Sequence, residues 1–107
     1  MSESVSTHQA RVLVVGSHAT TAAGFADNNV GMLIVMEPDM VLADEARRRF
    51  AHLGNKAAII GGDPRRMLYK LAGPFDAIFY EVRYEAIRPD LDQRLVPGGV
   101  LSCVAAP

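Results

Sequence analysis

At 107 residues the chain has room for one domain at most, burying roughly two thirds of its unfolded surface in a single core without staples. Half of its residues are hydrophobic, which favours a globular domain over a disordered one. A net charge of -1 leaves no electrostatic case for DNA, RNA or an anionic membrane as partner.

Met1 to Ala10 is small and polar and reads as a flexible lead-in before a domain over 11–107. The first strand is expected from Arg11 to Val15, a continuous β-branched run of the kind buried on both faces in a parallel sheet. Gly16 follows, then small polar residues leading into a short helix from Ala19 to about Asn28, with Ser17 or Thr20 as its cap. Asp27-Asn28-Asn29 and Gly31 read as the closing turn.

The second strand is expected over Met32 to Met36, ending on Glu37-Pro38-Asp39 because Pro38 cannot donate to a ladder. Asp39 caps a helix from Met40 to about Leu53, with Leu42, Ala46, Phe50 and Leu53 inward and Gly54-Asn55 as its stop. Ala57 to Ile60 is a short third strand. Asp63 and Pro64 then open a helix to about Leu71, the pairing favoured at helix starts. Phe75 to Tyr80 is the fourth strand, followed by a short helical piece between Glu85 and Arg94 that Pro89 interrupts. Leu95-Val96-Pro97-Gly98-Gly99 turns the chain into a fifth strand, Val100 to Val104.

Alternating strands and helices specify an α/β fold: a doubly wound, Rossmann-like parallel sheet of about five strands, ordered 3-2-1-4-5, with helices on both faces. Ligands bind such sheets at the C-terminal strand ends where the winding reverses. That rim carries Gly16, Glu37, Asp63 and Glu81. No stretch approaches the ~18–20 apolar residues of a membrane span, and the N-terminus lacks a signal-peptide core, so the expected compartment is the cytoplasm. The single cysteine, Cys103, sits in the apolar fifth strand with no basic neighbour and is expected as a buried, reduced thiol.

The rim residues and four short words resemble the class I S-adenosylmethionine-dependent methyltransferases, particularly the small-molecule O-methyltransferases. The words are Glu37 within Val-Met-Glu-Pro-Asp, Gly62-Asp63 after strand 3, Gly-Pro-Phe-Asp from Gly73 to Asp76, and Leu-Val-Pro-Gly-Gly-Val-Leu from Leu95 to Leu101. The resemblance runs from about Arg11 to Val104 and implies S-adenosylmethionine as cofactor. Glu37 would hold the ribose, Gly62 and Asp63 the adenine, and Gly16 and Ser17 the amino-acid end, with Glu81 beside them. Glu37 lies 21 residues after Gly16, near the ~20-residue spacing of dinucleotide folds. Glu81 matches a metal-ligand position of some relatives, but the rest of that ligand set has no counterpart here, so no metal is assigned.

The chain departs from the family at its first loop. Val14 stands where an acidic residue is usual, and His18 and Thr20 replace further glycines. A side chain in left-handed backbone costs ~1–2 kcal/mol, so cofactor binding is expected to be weak or absent. A dinucleotide loop fits less well still, since only its first glycine is present. Two functions follow: a methyltransferase acting on an unknown small molecule, or a non-catalytic methyltransferase-like module for binding or assembly. Family sheets continue past strand 5, which leaves that strand an uncharged open edge here. A homodimer or a partner protein is expected to cover it.

Overall fold

The computed structural model describes residues 9–20 and 30–105. Five strands run in chain order: β1 Ala10–Val15, β2 Val30–Glu37, β3 Ala57–Gly61, β4 Phe75–Glu81 and β5 Leu95–Val104. They form one parallel sheet ordered β3-β2-β1-β4-β5, as the strand–helix pattern requires. The winding reverses at β1. Most of the expected lead-in, and the expected first helix and turn over 21–29, lie outside the described residues.

Burial explains why β1 is apolar throughout. Val12, Leu13, Val14 and Val15 are almost fully buried, because both faces of the central strand are covered. Leu13 and Val15 point into a cluster with Ile78, Tyr80 and Leu91. Val12 and Val14 point into a second cluster with Leu33, Val35 and Phe50. Each such Val or Leu contributes about 1.5–3 kcal/mol by leaving water. At the start of β1 the Asp76 carboxylate accepts the Arg11 N–H at 2.8 Å, just before the β1–β4 ladder begins at Val12 and Ala77.

Among the described residues, three short α-helices with both ends in view cover the sheet: α1 Met40–Arg49, α2 Pro64–Met67 and α3 Arg88–Asp92. Asp39 caps α1 by accepting the N–H groups of Val41 and Leu42 at 2.9 and 3.2 Å. Arg47, Arg48 and Arg49 fill its last turn, where a cation complements the helix dipole. α1 stops earlier than the apolar stripe predicts, and Ala51–Lys56 continues as 3-10 turns to Gly54 at φ 59°. The buried residues of α1 are Ala43 and Ala46, with Phe50 at its cap; Leu42 and Leu53 are partly exposed. No helix among the described residues is long and apolar enough to cross a membrane.

Several expectations need correction. Gly31 does not close a turn; it is an extra residue inside β2, where the register shifts between Ala10 and Arg11. A Cβ there would lie 2.8 Å from the Gln9 Cβ, so close approach of the chain requires glycine. Pro89 does not interrupt a helix. It sits in the first turn of α3, where its missing N–H needs no partner. The Pro-Gly-Gly turn is not outside β5 but bulges within it: Phe75 pairs Leu95, Ala77 pairs Val100, and Gly98 adopts φ 82° between them. Cys103 is exposed rather than buried, because β5 is a flank of the sheet.

Candidate functional site

The site is built from the C-terminal ends of β1, β2 and β4. Glu37 is the last residue of β2 and Glu81 the last of β4; they are 0 % and 1 % exposed. Buried carboxylates need partners, since an unpaired one costs several kcal/mol or takes up a proton. Here the partners are backbone N–H groups of the loop after β1, the N–H of Asp39 and one arginine. The Ser17 N–H donates to Glu37 Oε1 at 2.7 Å, and the Asp39 N–H to its Oε2 at 2.9 Å. The His18 N–H donates to Glu81 Oε2 at 3.0 Å, and Arg83 Nε donates to Glu81 Oε1 at 2.7 Å. A terminal nitrogen of Arg83 also lies 3.9 Å from Glu37 Oε2, so one guanidinium faces both carboxylates.

Gly16 makes this arrangement possible. Its φ of 90° is a left-handed conformation, and a Cβ there would overlap the Glu81 carboxyl group and lie 2.7 Å from its Cγ. The loop lets a ligand-like group approach its backbone closely, and that group is the protein's own Glu81. The other loop N–H groups are also engaged. Gly16 donates to the Met36 carbonyl at 2.8 Å, Ala19 to Gly16 at 3.0 Å and Thr20 to Ser17 at 3.1 Å.

Arg83 is held from several sides. It stacks on Tyr84 at 4.8 Å, and Arg65 stacks on the same ring at 5.0 Å. Arg65 also donates to the Arg83 carbonyl at 3.1 Å. Burial, the largest single influence, would lower the Arg83 pKa, but Glu81, Tyr84 and Glu37 together outweigh it and raise it. Burial raises the Tyr84 hydroxyl, with Arg83 opposing. One strand position before Glu81, burial also pushes the Tyr80 hydroxyl well above its ordinary range; Glu85, which accepts its hydrogen bond at 2.6 Å, and Cys103 add to the shift.

The other half of the rim is more open. Asp63 accepts the Arg65 N–H at 3.0 Å and so caps α2, while its side chain is 41 % exposed and lies 3.6 Å from the Arg65 guanidinium. The Gly62 N–H donates to the Glu37 carbonyl at 3.2 Å, which ties β3 to β2. Gly16, Ser17, Glu37 and Glu81 therefore converge, Gly62 joins them through backbone, and Asp63 stands apart on its helix. A cavity of about 140 Å³ lies between the loop and α1, lined by Ser17, His18, Thr20, Leu42, Arg49 and Phe50 among others; none of Glu37, Gly62, Asp63 or Glu81 lines it. Arg83 and the His18 N–H are absent from the sequence-based site. The only sequence signal for Arg83 is a cation two residues past a strand-end carboxylate.

The architecture matches solved structures. A conserved hypothetical protein of Streptococcus pyogenes superposes with a TM-score of 0.72 and 18% identity, over 92% of this chain and 68% of that one. An rRNA methylase of Streptococcus thermophilus gives a TM-score of 0.69 at 18% identity, over 91% of this chain and 62% of the other. A SAM-dependent methyltransferase of Thiobacillus denitrificans, solved with S-adenosyl-L-homocysteine, gives 0.67 at 22% identity, over 88% of this chain and 41% of its own. The fold is that of the class I methyltransferases. No protein-family model and no curated protein sequence matches the chain. It spans between 41% and 68% of the length of these three neighbours.

The residues present fit an S-adenosyl ligand at one end and not at the other. Each Glu37 oxygen accepts one N–H, which leaves lone pairs for the hydroxyls of a ribose. The loop after β1, by contrast, has no N–H left to offer between Gly16 and Thr20.

Proposed function

We propose that the rim binds an S-adenosyl ligand of the S-adenosylmethionine class and that the chain is a methyltransferase-type domain acting on a small molecule. One observation carries this reading: a fully buried carboxylate, Glu37, at the end of β2, bonded to the loop after β1 at the point where the winding reverses. Glu37 takes the ribose hydroxyls once the half-exposed Arg83 side chain, which lies against both carboxylates, gives way. Gly62 and Asp63 lie along the base, with Asp63 keeping one oxygen on the α2 cap. Methyl transfer asks a protein chiefly to align donor and acceptor and to exclude water. S-adenosylmethionine supplies the activated methyl group when bound. A non-catalytic binding module is the outcome in which ligand binds and no methyl acceptor is found.

Calorimetric titration with S-adenosylhomocysteine tests the reading. The expected result is saturable heat that Glu37→Gln weakens tenfold or more, since a hydrogen bond to a charged group is worth about 1.5–3 kcal/mol. No heat at millimolar ligand overturns it.

The reading includes an assembly. β5 is a flank of the sheet, bonded to β4 on one side, and it exposes Val100 and Cys103. A second copy pairing along that strand closes the edge. Light scattering that finds only monomer at micromolar concentration, or a Val100→Lys variant with unchanged mass, overturns the assembly.

A further inference from the structure

We propose that Arg83, seated with Arg65 on the ring of Tyr84, is an autoinhibitory strap across the adenosyl site: the free chain holds the site closed, and ligand enters when the strap swings out. The proposal rests on the adenosyl-binding reading above and deepens it by naming how access to that site is controlled.

The strap is a row of contacts from one half of the rim to the other. At one end the Arg65 guanidinium lies 3.6 Å from the Asp63 carboxylate. Arg65 stacks on Tyr84 at 5.0 Å and donates to the Arg83 carbonyl at 3.1 Å. Arg83 stacks on the same ring at 4.8 Å. At the far end its Nε donates to Glu81 at 2.7 Å, and a terminal nitrogen lies 3.9 Å from Glu37. Glu37 and Asp63, the two carboxylates that the adenosyl reading gives to the ligand, are thus each faced by an arginine of this row.

One part of the row is fixed and the other is free to move. The Tyr84 ring is 1 % exposed and packed in the core. The Arg83 and Arg65 side chains are 46 % and 51 % exposed, so they can leave for water without opening that core. Exposed ion pairs hold weakly, and the contact with Glu37 is longer than a hydrogen bond. Both buried carboxylates keep backbone donors when Arg83 leaves: Ser17 and Asp39 for Glu37, and His18 for Glu81.

The strap closes the ribose side of the rim without setting it against an acidic tail. Arg49, the third guanidinium near the loop, donates to the Thr20 hydroxyl at 3.0 Å and stacks on Phe50 at 5.3 Å. Its contacts are not with Glu37, Glu81 or Asp63, so it takes no part in the strap. With Glu45 it lines the cavity beside Ser17 and His18, which therefore carries one charge of each sign. A tail bearing a carboxylate and an ammonium meets no net repulsion there.

A strap that stands open in about one molecule in ten lowers the apparent affinity about tenfold. S-adenosylhomocysteine is titrated by calorimetry into the wild-type chain, Arg83→Gln and Arg65→Gln, each checked for folding by circular dichroism. Arg83→Gln is expected to bind about tenfold more tightly than the wild type. Arg65→Gln, which only loosens the row, is expected to gain about threefold. NMR adds a readout on the wild type. The Arg83 Nε–H, held by Glu81 in the free chain, is expected to exchange with water about tenfold faster when ligand saturates the site. Unchanged or weaker binding by Arg83→Gln, or an Nε–H that is equally or better protected in the complex, overturns the strap while leaving adenosyl binding intact. Should Arg83→Gln not fold, Arg65→Gln and the Nε–H exchange decide by the same criteria. If S-adenosylhomocysteine binds none of the three proteins, the adenosyl reading itself falls, and this inference with it.

Discussion

The two halves of the rim carry similar residues and treat them differently. On one side Gly16, Glu37 and Glu81 are packed so closely that backbone and carboxylates share their hydrogen bonds. On the other, Gly62 and Asp63 stay partly open, and Asp63 spends one oxygen on a helix cap. Strand order explains the contrast. β2 and β4 flank the central strand, so a carboxylate at either end is roofed by neighbours and must find partners. β3 is an outer strand, and the carboxylate beyond it keeps its water. A glycine–carboxylate pair in sequence thus means a closed pocket in one place and an exposed cap in another.

The sharpest way to break this contrast is to add the same methyl group to both glycines. Gly16→Ala is expected to destabilise by about 2–5 kcal/mol, combining left-handed strain with overpacking against Glu81. Gly62→Ala meets the Met67 side chain first, at 3.1 Å from its Cγ and 3.3 Å from its Sδ, and a flexible methionine can shift. Its expected cost is about 1 kcal/mol or less. Urea denaturation of both variants checks the pair; equal losses would erase the distinction between the halves.

Removing the carboxylates is the next largest effect. Glu37→Ala orphans two N–H groups and is expected to cost about 2–4 kcal/mol. Asp63→Ala loses one cap and is expected to cost about 1 kcal/mol. Thermal melts at matched pH compare them.

The smallest effect is on pH dependence. Tyr80, beside Glu81 on the closed side, holds its proton more tightly when folded than when unfolded. Its contribution to stability is complete below the ordinary tyrosine pKa of about 10. Above that pH the unfolded chain ionises first, so unfolding releases a proton and stability falls as pH rises. Tyr80→Phe is expected to flatten this alkaline slope without abolishing it, because Tyr84 is raised too. Stability curves between pH 8 and about 11 measure the slope.

Much of this fold was legible because single stretches carry their own signal. The apolar run before Gly16 can only be a strand covered on both faces, and Asp63-Pro64 announces a helix start wherever it lies. The contents of the site were harder to read. His18 and Glu81 meet across 63 positions of chain, and nothing near either one names the other. Glu81 was correctly placed on the rim, but that it fills the space over Gly16 depends on the strand order and on a side-chain torsion. Pro89 and Gly31 were misread for a related reason: proline is tolerated in a first helical turn and glycine in a bulge, and both residues also mark breaks. Cys103 was misplaced because an apolar strand reads the same at the flank of a sheet as at its centre.

The bond from the Arg11 N–H to Asp76 has a bearing on folding fidelity. Side chains in a strand repeat every two residues, so a slip of two positions between β1 and β4 would leave every apolar residue on its proper face. Hydrophobicity is blind to that error. Asp76 is not: two positions away, its carboxylate loses the Arg11 amide. One charged residue at the mouth of the ladder acts as a proofreader for a pairing mistake that the apolar pattern would let pass.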